Sequence, residues 1–288
     1  MTTTTVAYGE TTLSPGIRSR FVNDINGLTI HILEAGFEGK GRPCVLLLHG
    51  FPELAYSWRK VMLPLASAGF HVINIDNRDA GDSGLAAGPY SIADMADDAA
   101  EVLRAIDAGP AFVVGWSMGT FVSLELTIRH PSFVERLVLV AGSAGGSAAA
   151  PAAPEILALL ARDPNEEPGA RVRRVYPHLA APGYMQTHPE DLEQIARSQQ
   201  IKPMPTAAYY RQLGAISNWA GVGPSLAAIA IRTLVVHGEL DPLIPFPNGE
   251  YIAAHVPGAT LSRYPGVGHL PPIEADARFN REVLAFLA

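Results

Sequence analysis

Cysteine is almost absent from the 288-residue sequence, which contains Cys44 alone. A single cysteine excludes an internal disulfide framework and a cysteine-based zinc site. Because Cys44 lies in an apolar run, we expect a buried, unreactive thiol rather than a nucleophile. The histidines lack metal-ligand spacing such as His-Glu-x-x-His, and no glycine-rich loop fits a dinucleotide or Walker pattern. The sequence therefore predicts no metal and no cofactor.

Positive charge is scarce as well, because 21 Lys and Arg face 28 Asp and Glu, which gives a net charge of −7. This balance argues against nucleic acid or an anionic membrane as a partner. The longest uncharged run, residues 137–154, is mostly Ala, Gly, Ser and Pro after Val140 and makes a poor membrane helix. The first ten residues carry neither the basic stretch nor the apolar core of a signal peptide. We expect a cytoplasmic protein.

Apolar sequence, by contrast, is plentiful at 48% of residues, which is enough for a large buried core. Strand and helix patterns alternate from residue 29 to residue 140 and again after residue 231. The predicted strands are residues 19–23, 28–34, 44–48, 71–76, 111–114, 134–140, 232–238 and 260–264. Such alternation predicts an α/β fold with a mainly parallel sheet and helices on both faces. The first two strands, joined at Asn26 and Gly27, predict a hairpin that forms an antiparallel edge.

The alternation breaks between residues 143 and 227, where short helical patterns occur without a convincing strand. This segment has more apolar side chains than short helices can bury among themselves, so we expect it to pack on the core and overhang its loops. The chain then divides into a first core part (1–142), a helical cap (143–227) and a second core part (228–288). Residues 1–18 are predicted to be a loose arm.

The most informative stretch is Gly-x-Ser-x-Gly at residues 115–119, between an apolar strand and a helical pattern. A serine on a sharp strand-to-helix turn has a strained backbone, and glycines two residues away on either side leave room for it. Ser117 then lies at a helix N-terminus, where free N–H groups favour developing negative charge. The sequence predicts Ser117 as a nucleophile.

A serine nucleophile needs a base and a group that orients the base. Two loops that follow later predicted strands supply Asp241 and His269, and the carboxyl ends of parallel strands meet at one edge of a sheet. We therefore predict Ser117, His269 and Asp241 as a catalytic triad. Four residues are alternatives of lower standing: the acids Asp76, Asp79 and Glu239, and Ser83, which lies in a Gly-Asp-Ser-Gly stretch.

At this point the sequence resembles the α/β-hydrolase superfamily. The resemblance is carried, in the family's order, by His-Gly-Phe-Pro at 49–52, Gly-Trp-Ser-Met-Gly at 115–119, His-Gly-Glu-Leu-Asp at 237–241 and Gly-Val-Gly-His at 266–269. It implies an α/β-hydrolase fold with an eight-stranded, mostly parallel sheet and a helical cap. It also implies an oxyanion hole formed by the backbone N–H groups of Phe51 and Met118, since Pro52 has no N–H to donate.

The resemblance differs along the chain. Residues 17–75 are similar to epoxide-hydrolase-like members, whereas later segments, such as residues 76–81, are similar to serine esterases of the aclacinomycin methylesterase kind. Epoxide hydrolases carry Asp where this chain has Ser117. If Ser117 displaced a leaving group at a saturated carbon, the product would be an ether. An ether has no carbonyl for water to attack, so the enzyme could not turn over. We therefore expect neither epoxide hydrolase nor haloalkane dehalogenase activity.

The function predicted from the sequence is hydrolysis of carboxylic esters of small to medium, largely apolar molecules. A lactonase, a perhydrolase or a carbon–carbon bond hydrolase on the same triad is the alternative among enzymes, and a non-catalytic ligand receptor is a second class. Four aromatic residues could line the substrate pocket, although ordinary packing is an alternative for each: Trp116, Tyr209, Tyr210 and Trp219. The expected partner is a small-molecule ester, with no nucleic acid and no membrane.

Overall fold

The computed structural model of the protein describes residues 13–163 and 165–288; the first twelve residues of the predicted arm lie outside this range. Eight strands form a single sheet in the order β1-β2-β4-β3-β5-β6-β7-β8. They are β1 (Ile17–Ile25), β2 (Leu28–Ala35), β3 (Cys44–Leu48), β4 (His71–Ile75), β5 (Ala111–Trp116), β6 (Val134–Val140), β7 (Arg232–Gly238) and β8 (Thr260–Tyr264). β1 and β2 pair antiparallel, β2 pairs antiparallel with β4, and the other pairs are parallel. The predicted fold class and its antiparallel edge are confirmed.

Helices connect the strands and cover both faces of the sheet. In the described residues they are α1 (Arg59–Ser67), α2 (Ile92–Ala105), α3 (Met118–Arg129), α4 (Pro154–Ala158), α5 (Pro168–Leu179), α6 (Tyr184–Thr187), α7 (Pro189–Ile201), α8 (Thr206–Ser217), α9 (Pro247–His255), α10 (Pro271–Glu274) and α11 (Asp276–Leu287). Short 3₁₀ turns occupy Ala55–Trp58, Pro131–Phe133, Gly146–Ala148 and Gly223–Ala228. None of the helices described is both long and apolar enough to cross a membrane.

The continuous apolar runs of the central strands are explained by burial on both faces. In β3, Val45 and Leu47 belong to one buried cluster, together with residues of α1 and α11. Leu46 and Leu48 point the other way, into a cluster with residues of α2, α3 and α9. Since successive side chains alternate between faces, a strand covered on both sides reads as apolar throughout.

Local signals determine several helix ends. Ser91 caps α2: its hydroxyl accepts the Asp94 N–H at 3.2 Å, while the Asp94 carboxylate accepts the Ser91 N–H at 2.8 Å. The last helical segment is divided into α10 and α11, because Ala275 between them has non-helical angles (φ −137°, ψ 39°). Glu274 consequently ends a short helix of its own.

The strand order positions the candidate site. The chain passes from β3 to β4 on one side and then returns to β5 on the other side of β3. The carboxyl ends of β3 and β5 are therefore neighbours at the point where the direction of winding reverses, and crevices for ligands form at such points. The loop after β3 begins at His49, and Ser117 follows β5.

The described residues between β6 and β7 form helices, 3₁₀ turns and connecting loops without a strand, and they pack on the sheet domain. Val172, Val175, Tyr176 and Leu179 of α5 are buried in the same cluster as Trp58. We retain residues 143–227 as our proposal for the cap, flanked by 1–142 and 228–288.

Candidate active site

The serine turn lies between β5 and α3. Ser117 has φ 57° and ψ −120°, a backbone conformation that costs free energy and is typical of a nucleophile at such a turn. A Cβ on Gly119 would collide with the Leu48 carbonyl, and one on Gly115 would collide with the Gly119 carbonyl. Glycine at both positions is therefore a steric requirement of the turn.

The three residues predicted as a triad are in one hydrogen-bonded chain. His269 Nε2 lies 3.0 Å from Ser117 Oγ, and His269 Nδ1 lies 2.7 Å from Asp241 Oδ2. All three side chains are buried. When the ring proton is on Nδ1, the Nδ1–H donates a hydrogen bond to Asp241, and Nε2 is free to accept the hydroxyl proton of Ser117.

The Asp241 carboxylate is held in its charged form. Burial acts to raise its pKa, but the charge of His269 and hydrogen bonds from His237 and His269 outweigh burial, and the net pKa is lowered. Its Oδ1 accepts the N–H groups of Leu243 at 2.9 Å and Ile244 at 2.8 Å. These contacts leave Oδ2 directed at His269.

The loop after β3 lies against Ser117. A Cβ on Gly50 would come within 2.9 Å of the Ser117 Cβ. His49 Nε2 accepts the Asn77 N–H at 3.0 Å, so its Nδ1 donates to the Gly50 carbonyl at 2.7 Å. Burial lowers the pKa of His49, which favours this neutral form.

This arrangement also orients an N–H group. In a trans peptide the carbonyl and the N–H point in opposite directions, so a fixed Gly50 carbonyl fixes the Phe51 N–H. Met118 begins α3, where the first N–H groups have no partner within the helix. Neither N–H has an acceptor among the residues that the structure describes.

The alternative acids have other partners. Asp76 Oδ2 lies 2.6 Å from His31 Nδ1, and Asp79 forms two bonds with Arg211, at 2.7 and 2.8 Å. Glu239 accepts a bond from Arg263 at 2.8 Å on the surface. Asp241 is therefore the acid that the structure brings to His269.

The other nucleophile candidates serve the fold. The Ser83 hydroxyl donates to the Asp76 carbonyl at 2.6 Å and accepts the His31 N–H at 2.9 Å. Cys44 is buried, and burial raises the pKa of its thiol to about 12. At neutral pH the thiol is protonated and unreactive.

The four proposed pocket residues occupy different environments. Trp116 is buried, packs edge-on against Trp58, and donates from Nε1 to the His269 carbonyl at 2.9 Å. Tyr209 is buried beside Phe51, with 4.7 Å between ring centroids. Tyr210, on the same helix, is 49% exposed.

Trp219 borders an open pocket of about 350 Å³. The pocket is lined by Phe121, Ser143, Gly145, Gly146, Ala149, Ala150, Ile216, Ser217, Trp219, Leu243, Ile244 and Asn248. Phe121 is one helical turn after Ser117, and the Leu243 and Ile244 N–H groups are those bound by Asp241. The pocket therefore adjoins the Asp241 end of the hydrogen-bonded chain, and its described lining does not include Ser117 or His269.

Sequence reasoning missed one side chain near His269. Glu274 accepts N–H groups from both neighbours of His269 at 3.0 Å. An acid five residues after a candidate catalytic histidine, at the end of a Pro-Pro-Ile-Glu turn, is a weak signal by itself. In the described part of the chain, no group of three or more His, Cys, Asp or Glu side chains could hold a metal ion.

A mostly parallel sheet with a strained serine at its winding reversal, bonded to a histidine that is bonded to a buried acid, defines the class of α/β hydrolases. The sequence model of the α/β-hydrolase fold family matches residues 43–276, and the chain belongs to this family.

Proteins similar to this chain include one that is uncharacterised and two with different named activities. An uncharacterised protein of Mycobacterium tuberculosis is 30% identical over 90% of this chain and 80% of its own. A 2-hydroxy-6-oxononadienedioate/2-hydroxy-6-oxononatrienedioate hydrolase of Burkholderia vietnamiensis is 29% identical over 93% of this chain and 95% of its own. The structure of a thermophilic esterase from Thermogutta terrifontis is 25% identical, covers 94% and 98% of the two chains, and has a TM-score of 0.78.

Proposed function

We propose that the protein is a serine hydrolase that cleaves carboxylic esters by way of an acyl-enzyme. The observation that supports this most directly is the chain from Ser117 Oγ through His269 to Asp241, with steps of 3.0 and 2.7 Å. A hydroxyl in this position can lose its proton to the imidazole as it attacks a carbonyl.

In the proposed first half-reaction, Ser117 Oγ attacks the ester carbonyl and His269 takes its proton. The Asp241 carboxylate stabilises the imidazolium that results. When the tetrahedral intermediate collapses, His269 gives the proton to the leaving alcohol, and the acyl group stays on Ser117. Water, activated by His269, attacks this ester in the second half-reaction and releases the acid.

The negative oxygen of each tetrahedral intermediate needs donors that are in place beforehand. We assign this role to the backbone N–H groups of Phe51 and Met118, supported by their lack of acceptors among the described residues and by the Gly50 peptide beside Ser117. Each such donor contributes about 3 kcal/mol to transition-state stabilisation.

The pocket beside Trp219 supports an apolar substrate. Its walls include Phe121, Ile216, Leu243 and Ile244, and no Arg or Lys stands among the described residues that line it. A volume of about 350 Å³ fits a small to medium acyl or alcohol group. We propose a small-molecule ester as the substrate and the cytoplasm as the location, the latter on the sequence alone.

The test is hydrolysis of p-nitrophenyl butyrate by the wild type and by Ser117→Ala. We expect turnover that is lost in the variant, and one covalent addition of a fluorophosphonate that maps to the peptide containing Ser117. Ser91→Ala, which removes only the cap of α2, is the control and retains activity. Addition at Ser83, or turnover that survives Ser117→Ala, would overturn the proposal.

Carbon–carbon bond hydrolysis is the second candidate, favoured by the similarity to the Burkholderia vietnamiensis hydrolase over nearly the whole chain. The name of that relative gives it a substrate with two carboxylates. Because the pocket beside Trp219 has no cationic side chain among its described lining residues, we favour neutral esters. A panel of p-nitrophenyl esters, lactones and a 2-hydroxy-6-oxodienoate would decide between them by kcat/KM.

A further inference from the structure

The loop that carries His269 is held by one acidic side chain. Glu274 ends the short helix α10, five residues after His269. Its Oε2 accepts the Gly268 N–H at 3.0 Å and its Oε1 accepts the Leu270 N–H at 3.0 Å. A single carboxylate therefore fixes the peptide N–H on each side of His269.

The same carboxylate reaches the proposed cap. Glu274 Oε2 also accepts the Ala181 N–H at 2.8 Å, and the His269 N–H donates to the Leu179 carbonyl at 2.8 Å. A Cβ on Gly268 would collide with the backbone of residues 179–181. Glu274, the His269 loop and the end of α5 therefore contact one another directly.

These contacts provide hydrogen-bond donors for the Glu274 carboxylate, which lies in a poorly hydrated position. Burial raises the pKa of Glu274, and the N–H groups of Gly268, Ala181 and Leu270, together with the charge of His269, oppose the rise. Charge-assisted bonds from N–H groups to a carboxylate are about twice as strong as neutral ones. Loss of the carboxylate would leave buried N–H groups without an acceptor, which destabilises this geometry of the loop.

We propose that Glu274 is a positioning residue, which holds the His269 imidazole in reach of Ser117 and Asp241 and ties its loop to residues 179–181. The proposal rests on the function proposed above for Ser117 and His269. Glu274 acts through the backbone and takes no part in proton transfer. A catalytic group displaced by 1 Å can lose about 100-fold in rate, which sets the scale of the effect.

The test compares Glu274→Ala with Glu274→Gln by two measurements. One is the steady-state hydrolysis of p-nitrophenyl butyrate, and the other is the rate at which a fluorophosphonate modifies Ser117. We expect kcat of Glu274→Ala to fall about 100-fold with KM nearly unchanged, and the modification rate to fall equally. The amide of Glu274→Gln keeps one acceptor oxygen, so its kcat should be about tenfold higher than that of Glu274→Ala. Glu282→Gln is the matched control, since Glu282 lies on α11 and accepts the Tyr264 O–H at 2.7 Å; its kcat should not change.

Titration of active sites and thermal unfolding separate misplacement of His269 from loss of folded protein. The proposal is overturned if folded Glu274→Ala retains kcat within about threefold of the wild type, or if the loss equals the loss of titratable sites. If the alanine variant does not fold, the glutamine variant decides by the same criterion. If the wild type is labelled but cleaves no ester, only the proposed substrate fails, and the labelling rates still measure the role of Glu274. If Ser117 is not labelled at all, both proposals fall.

Discussion

The two sides of the candidate site are held by different kinds of contact. On the sheet side, backbone bonds predominate: the Ser117 N–H donates to the Val140 carbonyl at 2.9 Å, and the Leu240 N–H donates to the Val267 carbonyl at 3.0 Å. On the cap side, side chains make several of the contacts, beside backbone bonds such as the one from the His269 N–H to the Leu179 carbonyl. Gln199 donates to the Pro52 carbonyl at 2.8 Å, Arg211 binds Asp79, and Trp219 donates to Glu125 at 2.8 Å.

This difference teaches how chemistry and specificity can change separately. A bond between two backbone groups survives most substitutions, so the positions of Ser117, Asp241 and His269 follow from the pairing of the strands before them. A bond from a side chain is lost with a single substitution. Apart from residues 179–181, which contact the His269 loop, the proposed cap can therefore vary while the hydrogen-bonded chain stays in place.

The largest effect on kcat should come from a substitution on the sheet side that keeps the backbone in place and removes the charge of the Asp241 carboxylate. We expect Asp241→Asn to lower kcat about 10⁴-fold, because an amide favours the wrong imidazole tautomer and cannot stabilise the imidazolium. Steady-state kinetics, with circular dichroism to show that the variant is folded, provide the measurement. Glu239→Gln is the control, since Glu239 contacts Arg263 on the surface; near-normal kcat in Asp241→Asn would show that another carboxylate serves His269.

A steric change at the serine turn should come next. Gly119→Ala places a Cβ against the Leu48 carbonyl, so we expect a loss of about 3 kcal/mol in the free energy of unfolding. Gly214→Ala in α8 is the matched control, because its new Cβ meets no atom within 4 Å and should stabilise by about 0.5 kcal/mol. Denaturant unfolding measures both. Equal midpoints for the two variants would mean that the turn tolerates a side chain.

Much of the sheet side could be predicted because its signals are local. The limits of β3 and β8 and the serine turn each depend on a few consecutive residues. The order of three polar loops after three strands then placed Ser117, Asp241 and His269 together, since parallel strands end at one edge.

The rest depends on contacts between distant segments. Glu274 binds Ala181, and the Trp116 indole binds the His269 carbonyl, 153 residues away. No local pattern encodes such pairs. In α5, Val172, Val175, Tyr176 and Leu179 form a helical stripe, but Pro177 within the same stretch opposes that local signal.

A smaller effect should follow from loosening the cap. Arg211→Met leaves buried Asp79 without its cationic partner, so we expect a loss of about 2 kcal/mol in the free energy of unfolding. Arg173→Met is the matched control: Arg173 also forms two bonds with a carboxylate, that of Glu193, but both side chains are largely exposed and the loss should be below about 1 kcal/mol. Equal losses would show that burial of Asp79 adds nothing to this contact.

The smallest effect concerns specificity at Trp219. Its ring stacks on Phe121 with 4.6 Å between centroids and borders the proposed substrate pocket. Removing the ring in Trp219→Ala lengthens the pocket, so longer acyl chains gain binding energy relative to short ones. We expect the ratio of kcat/KM for p-nitrophenyl octanoate to that for butyrate to rise about tenfold, since differences of single methylenes are worth about 1 kcal/mol or more.

Two further variants separate pocket size from cap position. Trp219→Phe keeps an aromatic wall but loses the bond to Glu125, and Glu125→Gln weakens that bond while the ring stays intact. If the wall sets the preference, both should retain the wild-type ratio, as should Leu157→Ala at an exposed position of the proposed cap. A ratio that shifts in Glu125→Gln would mean that the bond, which holds the cap on α3, governs selection. An unchanged ratio in Trp219→Ala would place the acyl chain in another part of the site, because a pocket that binds the chain cannot lose its largest wall residue without a change in preference.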